Sequence, residues 1–200
     1  IVDFIANNYE IPISIDTRSS RVAMAFEKND INYINDVSSG CHDSDMLDVV
    51  SKLGCSYIMT HMPREHKEGS IKVYDDILSE MKTYFTDRIQ KCVEAGISKE
   101  KIIIDPGIGF GKSGENNINL LKNIKWLKTI HSNVCIGSSN KRYSSQLFKH
   151  IQTKEDLRIA NLATFATSTF YGVTYLRVHD VGLTKDTVLV INKAVELEQS

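Results

Sequence analysis

Six short apolar runs, each ending in polar residues, constrain this chain more than any other feature. The runs are residues 11–16, 31–36, 55–61, 101–105, 134–137 and 173–179. Stretches with helical spacing separate them, at residues 19–29, 44–53, 73–96, 116–130 and 154–171. This alternation predicts parallel strands joined by right-handed helical crossovers. The chain contains no internal repeat or linker, so we predict one domain over residues 1–200.

The carboxyl ends of the runs carry side chains able to do chemistry. They are Asp16 with Thr17, Asn35 with Asp36, Thr60 with His61, Asp105, Ser139, and Arg177 with His179 and Asp180. Turns favour Asp and Asn, which explains one such end but not six in succession. An open doubly wound sheet gathers ligands only around its switch point, whereas a barrel gathers all carboxyl ends on one face. We therefore predict an α/β fold of the TIM-type (β/α)8 class.

Composition excludes several partners. The 24 Lys and Arg residues nearly balance 25 Asp and Glu residues, which leaves no broad positive field for nucleic acid or an anionic membrane. No apolar run approaches the ~18 residues of a membrane span. Four scattered cysteines favour buried or half-buried free thiols in a reducing compartment. We expect the cytoplasm, or a mitochondrion or plastid in a eukaryote.

The segment from Asp105 to Lys112, with the sequence DPGIGFGK, is the most distinctive. A strand places Asp105 at the barrel mouth, and three glycines allow the loop to pass close to a ligand. Phe110 lies among these glycines, where its ring can cover a flat heterocycle. The Rossmann fingerprint and the P-loop pattern are both absent, although glycine-rich turns also occur without any ligand.

The segment DPGIGFGK resembles the signature of the dihydropteroate synthase family. Five further segments resemble that family's motifs in the same order: SIDT at 14–17, INDVS at 34–38, MTHM at 59–62, GSSNK at 137–141 and RVHDV at 177–181. The resemblance covers essentially the whole chain. It implies a (β/α)8 barrel that condenses 6-hydroxymethyl-7,8-dihydropterin pyrophosphate with p-aminobenzoate in folate biosynthesis. It also implies a Mg²⁺ cofactor and a homodimer.

The resemblance assigns roles to particular residues. Those implied for the pterin are Asp16, Asn35, Thr60, Asp105, Phe110 and Lys141. Those implied for p-aminobenzoate are Phe110, Ser139, Asn140 and Lys141, and those for pyrophosphate are Arg177 and His179. The catalytic set is Asp16, Asp105, Lys141, Arg177 and His179.

Structural alternatives remain for several of these residues. Asp16 can cap the helix at Ser19, Asn35 can brace a turn, and Arg177 can pair with Asp180. His61 fits a satisfied core histidine as well as a ligand.

The chain departs from the family pattern in two places. Asn140 replaces the arginine of Ser-Arg-Lys, which affects the p-aminobenzoate pocket, and the segment at 158–162 lacks the family's glycine and threonine. Nothing matches the family's first two strands, and residues 1–10 fit the tail of the second helix. We therefore expect six of eight βα units in an N-terminally incomplete domain. No metal ligand is expected in this chain, because the family's asparagine ligand belongs to the absent first strand.

Two other functions are consistent with a pterin site. A pterin-dependent methyltransferase that acts on a corrinoid shares the barrel, but it has no need of the Gly-Phe-Gly-Lys loop or the Arg-x-His pair. A non-catalytic pterin-binding pseudoenzyme or partner subunit is suggested by Asn140 and by the unmatched first strands.

Overall fold

The computed structural model describes residues 1–63, 70–138, 141 and 143–198. Within these ranges the strands are β1 Ser14–Asp16, β2 Tyr33–Asp36, β3 Ser56–Thr60, β4 Ile102–Asp105, β5 Cys135–Ile136 and β6 Tyr175–Leu176. The helices are α1 Val2–Asn8, α2 Ser20–Met24, α3 Met46–Leu53, α4 Ile77–Glu94, α5 Gly114–Lys122, α6 Ile124–Ile130, α7 Tyr143–Leu147, α8 Lys154–Phe170 and α9 Val181–Glu198. Every predicted strand is present, although each is shorter than its run.

All strand pairs are parallel and follow the chain order. β1 to β4 form one sheet, β5 pairs with β6, and a single bridge between Ile104 and Val134 joins the two groups. Among the described residues, β1 and β6 each pair with one strand only. The predicted α/β class is confirmed, and the six strands form an arc of a barrel that does not close between β1 and β6.

The two faces of the arc belong to two different apolar clusters. The outward face packs against the helices through Ile34, Tyr57, Met59, Ile102 and Ile104, which belong to the main apolar core. The inward face carries a smaller apolar cluster made of Tyr33, Ile58, Ile103, Cys135 and Tyr175.

Strand alternation places the polar groups on the inward face. Side chains two positions apart on a strand share a face. Each residue of the inward cluster is therefore followed, two positions later in the sequence, by another inward-facing residue. These residues are Asn35, Thr60, Asp105, Gly137 and Arg177. The inward apolar layer therefore forms the floor beneath a polar layer at the carboxyl ends.

Several helix boundaries differ from the sequence prediction. The predicted helix at 116–130 breaks at Asn123, which ends α5. The side-chain NH₂ of Asn123 donates to the backbone carbonyl of Asn119 there. The predicted helix at 73–96 begins only at Ile77, because the Asp76 carboxylate caps the amides of Leu78 and Ser79.

The cysteines also differ slightly from expectation. Cys55, Cys92 and Cys135 are buried free thiols, as predicted, but Cys41 is exposed. Among the described residues, no helix is both long and apolar enough to cross a membrane.

Candidate active site

Arg177 connects the polar layer. Its guanidinium donates to Asp105 Oδ2 at 2.8 Å and to Asn35 Oδ1 at 2.9 Å. The amide of Asn35 in turn donates to Asp16 Oδ2 at 2.9 Å. Four sequence-predicted residues from four strand ends therefore form one hydrogen-bonded chain. Neither structural alternative for Asp16 and Arg177 occurs here, since Asp16 makes no cap on α2 and Arg177 pairs with Asp105.

The residues of this hydrogen-bonded chain differ in how far they are buried. Asp105 is 0% exposed and Asn35 is 2% exposed, whereas Asp16 lies at the exposed end of β1. A buried carboxylate needs a paired charge, and Arg177 supplies it. The glycine at position 137 makes this possible, because a Cβ there would lie 2.6 Å from the Arg177 guanidinium.

A cavity of about 270 Å³ opens above this chain of contacts. Its walls are Asp16, Val37, Phe110, Gly137, Lys141, Arg177, Val178 and His179. Arg177 and His179 both line it, as their two-residue spacing predicts. The cavity lining thus combines the Asp16 carboxylate with the cationic Lys141 and Arg177 and the imidazole of His179.

Phe110 and Lys141 form one wall of the cavity. The Lys141 ammonium lies over the Phe110 ring, 3.4 Å from its centroid, in the geometry of a cation–π contact. The two residues come from different loops, after β4 and after β5. Ser139 and Asn140, which are predicted to contact p-aminobenzoate beside Lys141, lie outside the described residues.

Thr60 lies deeper than the cavity wall. It pairs with Asp105 across β3 and β4 and is fully buried. Within the described ranges, its hydroxyl has no hydrogen-bond partner. A buried unpaired hydroxyl on the inward face beside Asp105 is consistent with a ligand group as its partner.

Asp36 and His61, which end their strands one residue further along, do not join this site. Asp36 faces outward and accepts hydrogen bonds from the Tyr57 hydroxyl and from the amides of Ser38 and Gly40. It therefore organises the turn after β2.

His61 is 2% exposed and packs edge-on against the ring of Tyr84, with centroids 4.7 Å apart. Burial, together with the positive charges of Lys112 and Lys72, lowers the pKa of His61 to about 2. His61 is therefore a neutral core group.

Lys112 is a residue whose role the sequence did not indicate. It is 1% exposed, and its ammonium donates to three backbone carbonyls, those of His61, Gly107 and Phe110. Burial lowers the pKa of Lys112 to about 7, against the opposing effect of Asp105. The only signal in the sequence was its place directly after the glycine-rich loop.

From the sequence, no metal ligand is expected in this chain, and the structure bears on this only for the residues that it describes. Among the described residues, no group of three or more His, Cys, Asp or Glu side chains is arranged to hold a metal ion. These side chains alone therefore do not fit a resident Mg²⁺.

Comparison with known proteins places this geometry in a family. Residues 1–179 match a family model described as "Pterin binding enzyme". Over 203 residues the chain is 30% identical to the dihydropteroate synthase of Escherichia coli K12, covering 100% of this chain and 70% of that protein.

Solved structures give the same result. The dihydropteroate synthase of Xanthomonas albilineans with 4-aminobenzoic acid superposes with a TM-score of 0.88 and 32% identity, covering 98% of this chain and 71% of that one. The Coxiella burnetii enzyme in complex with pteroic acid gives a TM-score of 0.86 and 28% identity, covering 96% and 72%.

Proposed function

Because this chain belongs to the dihydropteroate synthase family of pterin-binding enzymes, we propose that it joins a dihydropterin to p-aminobenzoate. In this reaction the arylamine nitrogen attacks the pterin methylene carbon and forms a C–N bond. The C–O bond to the diphosphate breaks, the diphosphate leaves with the electron pair, and the amine releases a proton. No protein nucleophile is required, so the residues contribute position and charge.

The observation that carries this proposal is the contact of Asp105 and Asn35 with one guanidinium. A pterin presents a planar edge with an amino group and ring N–H, which resembles a guanidinium in shape and donors. A carboxylate and an amide oxygen that bind the Arg177 fork are suited to bind that edge. Asp16, through Asn35, extends the same acceptor surface.

Arg177 would then exchange partners during the reaction. In this structure it neutralises the buried carboxylate of Asp105. When the pterin occupies Asp105 and Asn35, the guanidinium is released to the cavity that it shares with His179. There it binds the diphosphate, since the guanidinium fork is well matched to phosphate oxygens.

The second substrate would lie against Phe110 and Lys141. An aromatic ring and an ammonium on one wall suit an aryl carboxylate, which offers a flat face and a negative charge. Ser139 and Asn140, which the resemblance assigns to p-aminobenzoate, would contact the same substrate. The catalytic set remains Asp16, Asp105, Lys141, Arg177 and His179.

Magnesium belongs to the proposal only as a companion of the diphosphate. When bound with the diphosphate, Mg²⁺ would supply counter-charge to the leaving group, and the asparagine ligand that the family uses is expected upstream of this sequence. The roles given above are those of the side chains alone.

We also propose that two further βα units precede this sequence in one barrel domain. β1 and β6 each have one neighbour in the described part of the chain, although strand edges are usually paired or covered. The interior residues Tyr33 and Tyr175, whose rings lie edge-to-face with centroids 6.3 Å apart, are only half buried.

A homodimer is the proposed assembly. The groove between α5, α7 and α8 has a volume of about 390 Å³ and is lined mainly by apolar side chains. Phe148 borders it and is 51% exposed. Phe148→Asp should therefore convert a dimer into monomers, as measured by light scattering.

Dihydropteroate formation from the pterin diphosphate and p-aminobenzoate, with Mg²⁺, tests the function. We expect turnover, with release of one diphosphate per product, by a protein that carries the two proposed βα units before residue 1, which we call the upstream-extended protein. Binding of both substrates without turnover would favour the non-catalytic alternative. The matched negative control is Asp105→Asn, which keeps the size of the side chain and removes its charge.

A further inference from the structure

Lys112 holds the glycine-rich loop from inside. Its ammonium is 3.0 Å from the carbonyl oxygen of His61, 2.9 Å from that of Gly107 and 3.0 Å from that of Phe110. An ammonium has three N–H donors, so each carbonyl receives one. Lys112 does not line the cavity that Phe110 and Lys141 border.

The three contacts join two strand ends. His61 follows β3, whereas Gly107 and Phe110 belong to the loop after β4. The approach is close enough that a Cβ at position 107 would lie 2.1 Å from the His61 oxygen. The amide of Phe110 also donates to the Gly107 carbonyl, which closes the turn that Lys112 anchors.

Asn117 on α5 braces the same loop from the other side. Its side-chain oxygen accepts from the amide of Gly109 at 2.7 Å, and its side-chain NH₂ donates to the carbonyls of Lys112 and Ser113. Asn117 is fully buried. Phe110 is thus held between a brace at Gly109 and a contact at its own carbonyl.

We propose that Lys112 is a positioning residue for the arylamine substrate and acts through Phe110. By fixing the Phe110 backbone, it places the ring under the Lys141 ammonium and so shapes the wall on which the aryl carboxylate packs. Of the pterin readers, Asn35 lies on β2 and bonds to Asp16 and Arg177. Asp105 accepts from the Gly107 amide through Oδ1 but keeps Arg177 on Oδ2. Phe110, whose own carbonyl Lys112 holds, therefore depends more on Lys112 than these two residues do. The inference rests on the proposed function, because it assigns Lys112 a substrate of that reaction.

The test is Lys112→Met, which keeps the length of the side chain and removes its donors. In the upstream-extended protein, KM for p-aminobenzoate should rise about tenfold, as expected when buried carbonyls lose their donor and the wall shifts. The dissociation constant of the pterin, measured by calorimetry, should change far less. Lys128→Met is the control, since Lys128 also donates to a carbonyl, that of Gly172, but at an exposed position that does not line the cavity.

A double-mutant cycle separates positioning from general stability. If Lys112 acts through Phe110, Lys112→Met should add little to the KM effect of Phe110→Ala. Fully additive effects, or an unchanged KM in Lys112→Met, would overturn the inference. If Lys112→Met does not fold, Asn117→Ala removes the opposite brace and is put through the same cycle with the same expected result. Absence of product from the parent protein would instead reject the proposed function.

Discussion

The central strands and the edge strands of this arc carry their site residues differently. β4 is buried at every position, and β2 and β3 are buried at all but their first residue. By contrast, β1 is exposed at both ends, and β6 is a half-buried strand of two residues. Asn35, Thr60 and Asp105 lie on the central strands, whereas Asp16 and the Arg177–His179 pair belong to the edges.

This difference matches the tasks that we propose. A strand with neighbours on both sides holds a side chain in one place, which suits recognition of a rigid planar ring. Groups on an edge strand have fewer constraints, which suits a diphosphate that must arrive and leave. Arg177 links the two regions, because it starts on the edge and ends at the central Asp105.

The largest expected effect comes from giving the edge strands β1 and β6 a second neighbour each. Extending the chain upstream by two βα units, about 60 residues for a barrel of usual size, should give soluble and active protein. The 200-residue chain alone should be poorly soluble and inactive, because in the described part of the chain β1 and β6 each pair with one strand only and leave unpaired backbone groups at two edges. The measurement is p-aminobenzoate incorporation at matched protein concentration with Mg²⁺. A soluble, monomeric and fully active 200-residue chain would contradict this prediction.

Next in size is the loss of the central carboxylate. Asp105→Ala should abolish pterin binding, since losing a charge-assisted contact in a buried site costs about 1.5–3 kcal/mol or more. Calorimetry with the pterin measures the loss, and circular dichroism checks the fold. Asp87→Asn is the control, because Asp87 forms only an exposed pair with Lys91 on α4. An unchanged pterin affinity would remove Asp105 from the site.

The edge residues should show a selective effect. Arg177→Ala and His179→Ala should each weaken diphosphate binding by up to about 1.5–3 kcal/mol, the usual value for hydrogen bonds to charged groups. Binding of the bare pterin should change less. Arg158→Met, which removes surface pairs with Glu155 and Asp180, is the control. Equal losses for pterin and diphosphate would show that the edge residues support the fold instead.

The smallest effect is expected on the outward face of a central strand. Tyr57→Phe removes one donor to Asp36, which keeps its contacts with Ser38 and Gly40. The free energy of unfolding in urea should fall by about 1 kcal/mol, with pterin affinity unchanged. Tyr9→Phe, at an exposed position, serves as the control. A loss of pterin affinity in Tyr57→Phe would mean that the two faces are not independent.

The six strands, their order and the side of the fold that carries the site could all be predicted from the amino-acid sequence. Apolar runs at strand spacing and polar residues at their carboxyl ends are local patterns, and all six strands lie within the predicted runs, whereas several helices begin or end at other residues. The motif at Asp105–Lys112 and the Arg177–His179 spacing also placed residues on one cavity. The strand pattern and the Arg177–His179 spacing depend on backbone periodicity, which can be recognised over a few residues, whereas the motif was recognised by its resemblance to a family.

Which of two adjacent polar residues faces the site could not be predicted, because it depends on how the strands pack in the folded molecule. Asn35 points inward and Asp36 outward, and Thr60 and His61 divide in the same way, because strand register fixes the phase of an alternation that the sequence leaves open. Likewise, Lys112 is buried by loops from two strands, and Arg177 reaches Asp105 across 72 positions of the chain. Such contacts arise when distant strand ends converge, so no local pattern contains them.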